Sequence, residues 1–269
     1  MGRFEGKVAL VTGSTLGLGE AIARRFVSEA LAGLIVTGRD VERGIAVARS
    51  LESETSVEFV ATDLGDVDQV GALIDRTDER FGRLDILVNA AGLSTRGSIE
   101  DTTPELFDNL MAVNVRAPLL LMQGAIRIMR REGIEGTIVN IGSVASHRGE
   151  PFLTPYATSK GALTTLTKNV AHSILWDRIR CNILNLGWMD TPTEDVIQRT
   201  YHSDGKDWLG EARASQPFGR LLDPDEVARA VAFLASDDSG VMTGSVIEFN
   251  QGVVGGSAPG VAKRPSEAQ

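Results

Sequence analysis

Short, unbroken apolar stretches alternate along the chain with longer ones in which apolar residues recur every three or four positions. The short stretches are residues 8–12, 33–37, 57–62, 84–89, 137–141, 179–184 and 246–249. An unbroken apolar run of this length reads as a strand covered on both faces. The longer stretches, residues 18–31, 41–53, 67–81, 104–131, 155–176 and 224–235, read as helices. Asp40, Asp66 and Asp223 stand where N-caps belong, and Pro224 suits a first helical turn. Strand and helix in alternation predict βαβ units, hence an α/β, doubly wound parallel sheet of about seven strands with helices on both faces.

Two segments break the rhythm. Residues 191–217 are polar with scattered apolar positions, and a connection this long is expected to be a lid over a site. The tail after residue 252 is rich in Gly, Ala, Ser and Pro and is expected to be mobile. No linker divides what precedes it, so residues 1–252 are expected to form one domain.

Composition narrows the function. The formal net charge is −9, from 27 Lys and Arg against 36 Asp and Glu, so the broad positive field that holds nucleic acid is absent. A single cysteine, Cys181, excludes an intrachain disulfide framework and a multi-cysteine zinc site. The three histidines, His147, His172 and His202, lie far apart, and no metal site is expected. No apolar run approaches the ~18 residues of a membrane span, and the N-terminal residues do not resemble a targeting segment. The expectation is a reduced, cytoplasmic protein with no membrane partner.

Candidate chemistry begins directly after the first strand, where Thr12-Gly13-Ser14-Thr15-Leu16-Gly17-Leu18-Gly19 opens onto a helix. A glycine turn there lets backbone N–H groups approach a pyrophosphate at a helix N-terminus, in the manner of a Rossmann-like dinucleotide site. The second strand ends Thr37-Gly38-Arg39-Asp40. Gly38 stands where a ribose-binding carboxylate is expected. Arg39 is suited to a ribose 2′-phosphate or else is a solvated strand-end cation; Asp40 meets ribose hydroxyls or caps the next helix. This leans toward NADP, with NAD possible.

Tyr156 and Lys160, four apart in a helical pattern, project from one face. Bringing a phenol from its ordinary pKa near 10 to about 7 takes roughly 4 kcal/mol in favour of phenolate. A lysine ammonium beside it and an oxidised nicotinamide can supply that.

The ordered set of the glycine turn, Asp63-Leu64, Asn89 to Gly92, Asn114, Ser143 and Tyr156-x-x-x-Lys160 resembles the compact, single-domain branch of the short-chain dehydrogenase/reductase family, from about Gly6 to Gly252. The resemblance implies a hydride-transferring oxidoreductase interconverting a secondary alcohol and a ketone. Tyr156 would be its acid/base, Ser143 would bond the reacting oxygen, and Asn114 would position Lys160 through water. It further implies that Gly13, Ser14, Thr15, Gly17, Leu18 and Gly19 face the dinucleotide. Asp63 and Leu64 would contact adenine, and Asn89 would brace the central strands. Ala90 and Gly92 would leave room for the riboses, and Gly187 and Thr191 would lie at the nicotinamide, Thr191 alternatively capping the lid. Two positions depart from the family pattern. Leu186 replaces a proline and is expected to loosen its turn, and Asn250-Gln251-Gly252 replaces Asp-Gly-Gly, altering end-strand contacts and subunit packing. Relatives commonly form homotetramers through long helices; here Leu163, Leu166, Val170 and Ile174 make an apolar stripe for that purpose or for the core.

Ser94, His147, Glu150, Trp188 and His202 are candidate substrate contacts, and the lid adds Glu194, Gln198 and Trp208. Groups that bond hydroxyls, with indoles that pack on a sugar's C–H face, favour a polyol or sugar-like alcohol. A 3-oxoacyl carrier-protein reductase, which would need a basic docking patch, and a non-catalytic dinucleotide sensor are the alternatives.

Overall fold

A computed structural model describes residues 2–202 and 207–254. The expected mobile tail lies outside the described residues, apart from residues 253 and 254. Among these residues seven parallel strands form one sheet: β1 (Val8–Val11), β2 (Gly33–Gly38), β3 (Ser56–Ala61), β4 (Ile86–Asn89), β5 (Thr137–Ser143), β6 (Arg180–Leu186) and β7 (Val246–Phe249), in the order β3-β2-β1-β4-β5-β6-β7. Between β1 and β4 the order reverses direction, which opens a crevice at the strands' C-terminal ends.

Side-chain alternation along the strands builds two cores. Ala9 and Val11 of β1, Leu34 and Val36 of β2, and Ile86 and Val88 of β4 face one side, where they meet α1 (Gly17–Ser28), α2 (Val41–Leu51) and α9 (Pro224–Ala235). Leu10, Ile35 and Leu87 face the other, against α3 (Val67–Phe81), α5 (Ala117–Glu132) and α6 (Thr154–Ser173). Each large side chain so buried stabilises the fold by about 1.5–3 kcal/mol. Asp40, Asp66 and Asp223 cap α2, α3 and α9 through their side chains. Cys181 is fully buried in the second core, and burial pushes its thiol up to about 12. Of the stripe, Ile174 belongs to that core, Leu166 and Val170 pack partly buried against it, and Leu163 is buried. Among the described residues no helix is long and apolar enough to cross a membrane.

Two segments differ from the sequence expectation. Residues 104–131 are not one α-helix: α4 (Pro104–Met111) runs into a π turn, Ala112–Arg116, before α5 begins. The polar segment 191–217 contains two helices, α7 (Pro192–Tyr201) and α8 (Trp208–Ser215). Trp208, Ala212 and Leu221 form a small core of their own, which gives this segment helical structure without a long apolar stripe.

A buried amide pair joins the layers. Asn89 Nδ2 donates to Asn140 Oδ1 at 2.8 Å, and Asn140 Nδ2 donates to Thr167 Oγ1 at 2.9 Å, linking β4, β5 and α6. In water these groups would be solvated; here each depends on the other. Asn140→Leu strands the Asn89 donor and is expected to cost about 1–3 kcal/mol in urea unfolding. The double variant Asn89→Leu/Asn140→Leu should recover part of that loss, a coupling that a double-mutant cycle measures.

Candidate active site

The crevice is one cleft of about 1030 Å³ that runs from the glycine turn and Arg39, past Tyr156 and Lys160, to Trp188 and His202. Gly13 and Gly17 are in the left-handed region, with φ +65° and +57°. A Cβ on Gly19 would fall 2.2 Å from Gly13 O, so only glycine lets α1 start this close to the turn. The α1 N-cap, Leu16, supplies no side-chain acceptor, which leaves the helix's first N–H groups without a capping side chain beside the cleft. Such a cradle fits a pyrophosphate. Thr12 Oγ1 accepts from Ala90 N and Ala91 N, both at 3.0 Å, and stitches the turn to the end of β4.

Ser14 is corrected by the structure. Its buried hydroxyl donates to Val11 O at 2.6 Å and accepts from Thr37 N at 3.0 Å, so it staples β1 to β2 rather than facing the cleft. Gly13, Thr15, Gly17, Leu18 and Gly19 do line it. Farther along, Asp63 and Leu64 lie on the wall and exposed Arg39 on the rim. Asp40 accepts from Arg43 N and from the Arg43 guanidinium, which together hold its carboxyl below the usual range. Its negative charge is thereby engaged by Arg43, a cleft residue that sequence reasoning passed over.

At the centre, Tyr156 and Ser143 share the wall with buried Lys160, whose Nζ donates to Ile141 O at 2.8 Å. That Nζ lies 5.8 Å from the centre of the Tyr156 ring. Burial raises the Tyr156 phenol above its ordinary value, and the Ser143 hydroxyl is the principal group pulling it down. Burial also lowers Lys160 to about 8. On the phenol, desolvation outweighs the Ser143 hydroxyl and the Arg96 charge, which act to lower it. At neutral pH the lysine still carries its charge.

Asn114 sits in the π turn, where the extra backbone residue aims its amide inward. Nδ2 donates to Leu93 O and Ser159 Oγ, and Oδ1 accepts from Leu93 N at 2.8 Å. The amide thus ties the segment after β4 to the helix that bears Tyr156 and Lys160. Gly92 keeps the space between: a Cβ there would lie 3.3 Å from Lys160 Nζ and 3.4 Å from Asn114 Oδ1. Asn89 does not line the cleft and acts as the strand brace. Ala90, Gly92, Gly187 and Thr191 do line it, and Thr191 also caps α7 by accepting from Glu194 N.

Leu186 does not loosen its turn. It is the last residue of β6, packed in the core and paired in register with Ser143 and Phe249, and Gly187 N then donates to Phe249 O at 3.0 Å. Gln251 fastens the chain before α9, accepting from Phe218 N and donating to Arg220 O.

Of the substrate candidates, Ser94, Glu150, Trp188 and His202 line the cleft, as do Glu194 and Gln198. His147 does not. The short 3-10 turn after Ser143 carries its ring toward β7, where Nε2 lies 3.1 Å from both Glu248 Oε1 and Asn185 Nδ2. Trp208 is buried behind Trp188, and its Nε1 donates to Asp195. Arg96, unmarked in the sequence, reaches the same end of the cleft; two of its partners, His202 and Glu194, lie about a hundred residues away, beyond any local signal.

Residues 13–254 match the family model described as enoyl-(acyl carrier protein) reductase. The NADP-dependent (R)-specific alcohol dehydrogenase of Lentilactobacillus kefiri is 35% identical over 245 residues, 90% of this chain and 94% of that protein. Galactitol 2-dehydrogenase of Agrobacterium fabrum is 31% identical over 241 residues, 88% and 93% of the two chains. The crystal structure of L-sorbose reductase from Gluconobacter frateurii, complexed with NADPH and L-sorbose, superimposes with a TM-score of 0.87 at 30% identity, covering 94% of this chain and 99% of that one.

The buried lysine has a measurable signature. Its folded-state value of about 8 lies below the ordinary 10.5, so between those pH values the unfolded chain binds more protons and stability rises with pH. The rise is about 3 kcal/mol. Lys160→Met should be more stable than the parent at pH 7 and should lose this slope, as urea unfolding from pH 7 to 11 reads directly.

Proposed function

The chain belongs to the short-chain dehydrogenase/reductase family, oxidoreductases acting on CH–OH groups, and we propose that within it the protein interconverts a polyol or sugar-like secondary alcohol and its ketone, preferring NADP while still using NAD. One observation carries this reading: a single cleft joins the glycine turn and Arg39 at one end to Ser143, Tyr156 and Lys160, and then to a polar far end.

When bound, the dinucleotide supplies a nicotinamide that accepts or donates the hydride and, oxidised, a positive charge. The chain's own residues do the rest. Gly13, Thr15, Gly17, Leu18 and Gly19 would cradle the pyrophosphate, Asp63 and Leu64 would flank adenine, and Gly187 and Thr191 would border the nicotinamide. Ser143 donates to the substrate oxygen. Tyr156 takes the carbinol proton in oxidation and returns it in reduction. Lys160, kept charged at neutral pH and held on Ile141 O, favours the phenolate as the proton leaves. Asn114 fixes the strand-end segment and Ser159 around it.

The cofactor preference is supported by Gly38, which offers no carboxylate to repel a 2′-phosphate, by exposed Arg39, and by the pairing of Asp40 with Arg43. The L. kefiri relative and the L-sorbose reductase structure carry NADP(H) in their descriptions. We place the enzyme in the cytoplasm as a homotetramer; support for assembly comes from the edge position of β7 and from exposed Phe233 and Val241 nearby.

A panel of hexitols, ketohexoses, simple secondary alcohols and an acetoacetyl thioester, each with both cofactors, tests the substrate reading; turnover confined to the thioester would favour the carrier-protein alternative. Tyr156→Phe should retain dinucleotide binding, read by fluorescence, and lose turnover by several orders of magnitude. Arg39→Ala should cut the NADP-to-NAD ratio of kcat/KM by roughly ten- to a hundred-fold, the worth of one charge-assisted contact. Light scattering at micromolar concentration should return four times the chain mass.

A further inference from the structure

Arg96 follows β4 on a segment that the protein holds firmly. Gly97 N donates to Phe152 O, and Thr154 N donates to Gly97 O, so this segment is tied to the start of the helix bearing Tyr156. The guanidinium lies over the Phe152 ring, 5.6 Å from its centre. Nε donates to His202 Nε2 at 3.1 Å, and Nη1 donates to Ser94 O at 3.2 Å. Opposite stands Glu194 on α7, whose Oε1 accepts from Trp188 Nε1 at 2.8 Å and from Gln198 Nε2 at 2.7 Å.

These two charges are both largely buried, with side-chain exposures of 12% and 17%, yet they do not close on each other. Arg96 Nη2 stops 3.6 Å from Glu194 Oε1, beyond hydrogen-bond range. A structural arginine–carboxylate pair with this burial would close to about 2.7–2.9 Å and often bind bidentately. Among the described residues none donates to Glu194 Oε2, and none accepts from Arg96 Nη2. A donor and an acceptor therefore stand side by side, one on the core and one on the lid, both lining the cleft. Both fields reach the Tyr156 phenol, so they share the neighbourhood of the reacting oxygen.

We infer that Arg96 and Glu194 form a clamp for hydroxyl groups of a polyol beyond the carbinol that reacts, Arg96 Nη2 donating to a hydroxyl oxygen and Glu194 Oε2 accepting from a hydroxyl. A hydroxyl both donates and accepts, and a vicinal pair answers both charges without adding one. A carboxylate would gain at Arg96 but meet Glu194 and Glu150, and an alkyl tail would desolvate two charges with no return. His202, accepting at Nε2, and Phe152 hold the guanidinium in its plane. The clamp rests on the polyol reading above and names the residues that would enforce it.

Steady-state kinetics with NADP and either galactitol, D-sorbitol or 2-butanol test it, on the parent, Arg96→Met and the milder Glu194→Gln. Thermal unfolding and dinucleotide binding check that each variant is folded. The hexitol-to-2-butanol ratio of kcat/KM should fall roughly ten- to a hundred-fold in Arg96→Met, mainly through the hexitol KM. It should fall in the same direction in Glu194→Gln. An unchanged ratio, with both substrates losing equally, would make the pair a lid latch and overturn the clamp while leaving the polyol reading intact. A parent that oxidises 2-butanol and neither hexitol would remove the polyol reading and the clamp together.

Discussion

The chain leaves β1 toward one face of the sheet and leaves β4 toward the other, and the rest of the molecule is organised by that divergence. Two adjacent parallel strands whose continuations part company cannot cover their own C-terminal ends, so a crevice opens where backbone N–H groups and strand-end side chains are accessible. The protein secures both banks. Thr12 receives two backbone N–H groups from the far bank, Ser14 fastens the near bank to β2, and the Asn89–Asn140–Thr167 chain ties the far bank to α6. The bonds run from 2.8 to 3.0 Å and join neighbouring strand ends or, at Thr167, sheet to helix, so the crevice is framed by groups with little freedom to relax.

Within that frame, burial acts on the two central titratable groups alike, driving each toward its neutral form. The phenol rises and the ammonium falls. The protein tolerates a desolvated cation here although an apolar side chain of similar length would fit the same space at less cost. Such a departure from the folding optimum is expected where a group is retained for chemistry, since sites and stability compete for the same buried volume.

Much of this architecture is legible in the sequence because it rests on period. The alternation of Ala9 and Val11 with Leu10 fixes two covered faces, and the aspartates before α2, α3 and α9 fix where those helices begin. What escaped depends on features with no period. A π turn adds one residue to a helix without disturbing the spacing of apolar residues on either side, so Asn114 reads as mid-helix. The 3-10 turn after Ser143 is four residues long, too short to announce that His147 faces β7. The helices of residues 191–217 lean on Trp208 and a handful of neighbours, and Arg96 meets His202 and Glu194 through the fold alone. Leu186 and Gln251 departed from a family pattern, and what each does instead became visible only from its contacts: one extends a strand, the other ties down a loop.

The position of Cys181 has a practical corollary. It is the chain's one cysteine, fully enclosed between sheet and helix, with a thiol that stays protonated through the neutral range. Maleimides and iodoacetamides react with accessible thiolate, so the native protein is silent toward them as long as it remains folded. A cysteine introduced on the outer face of α7 would then be the single labelling site. A fluorophore attached there would report whether α7 moves against the sheet, one molecule at a time, with no background from the rest of the chain.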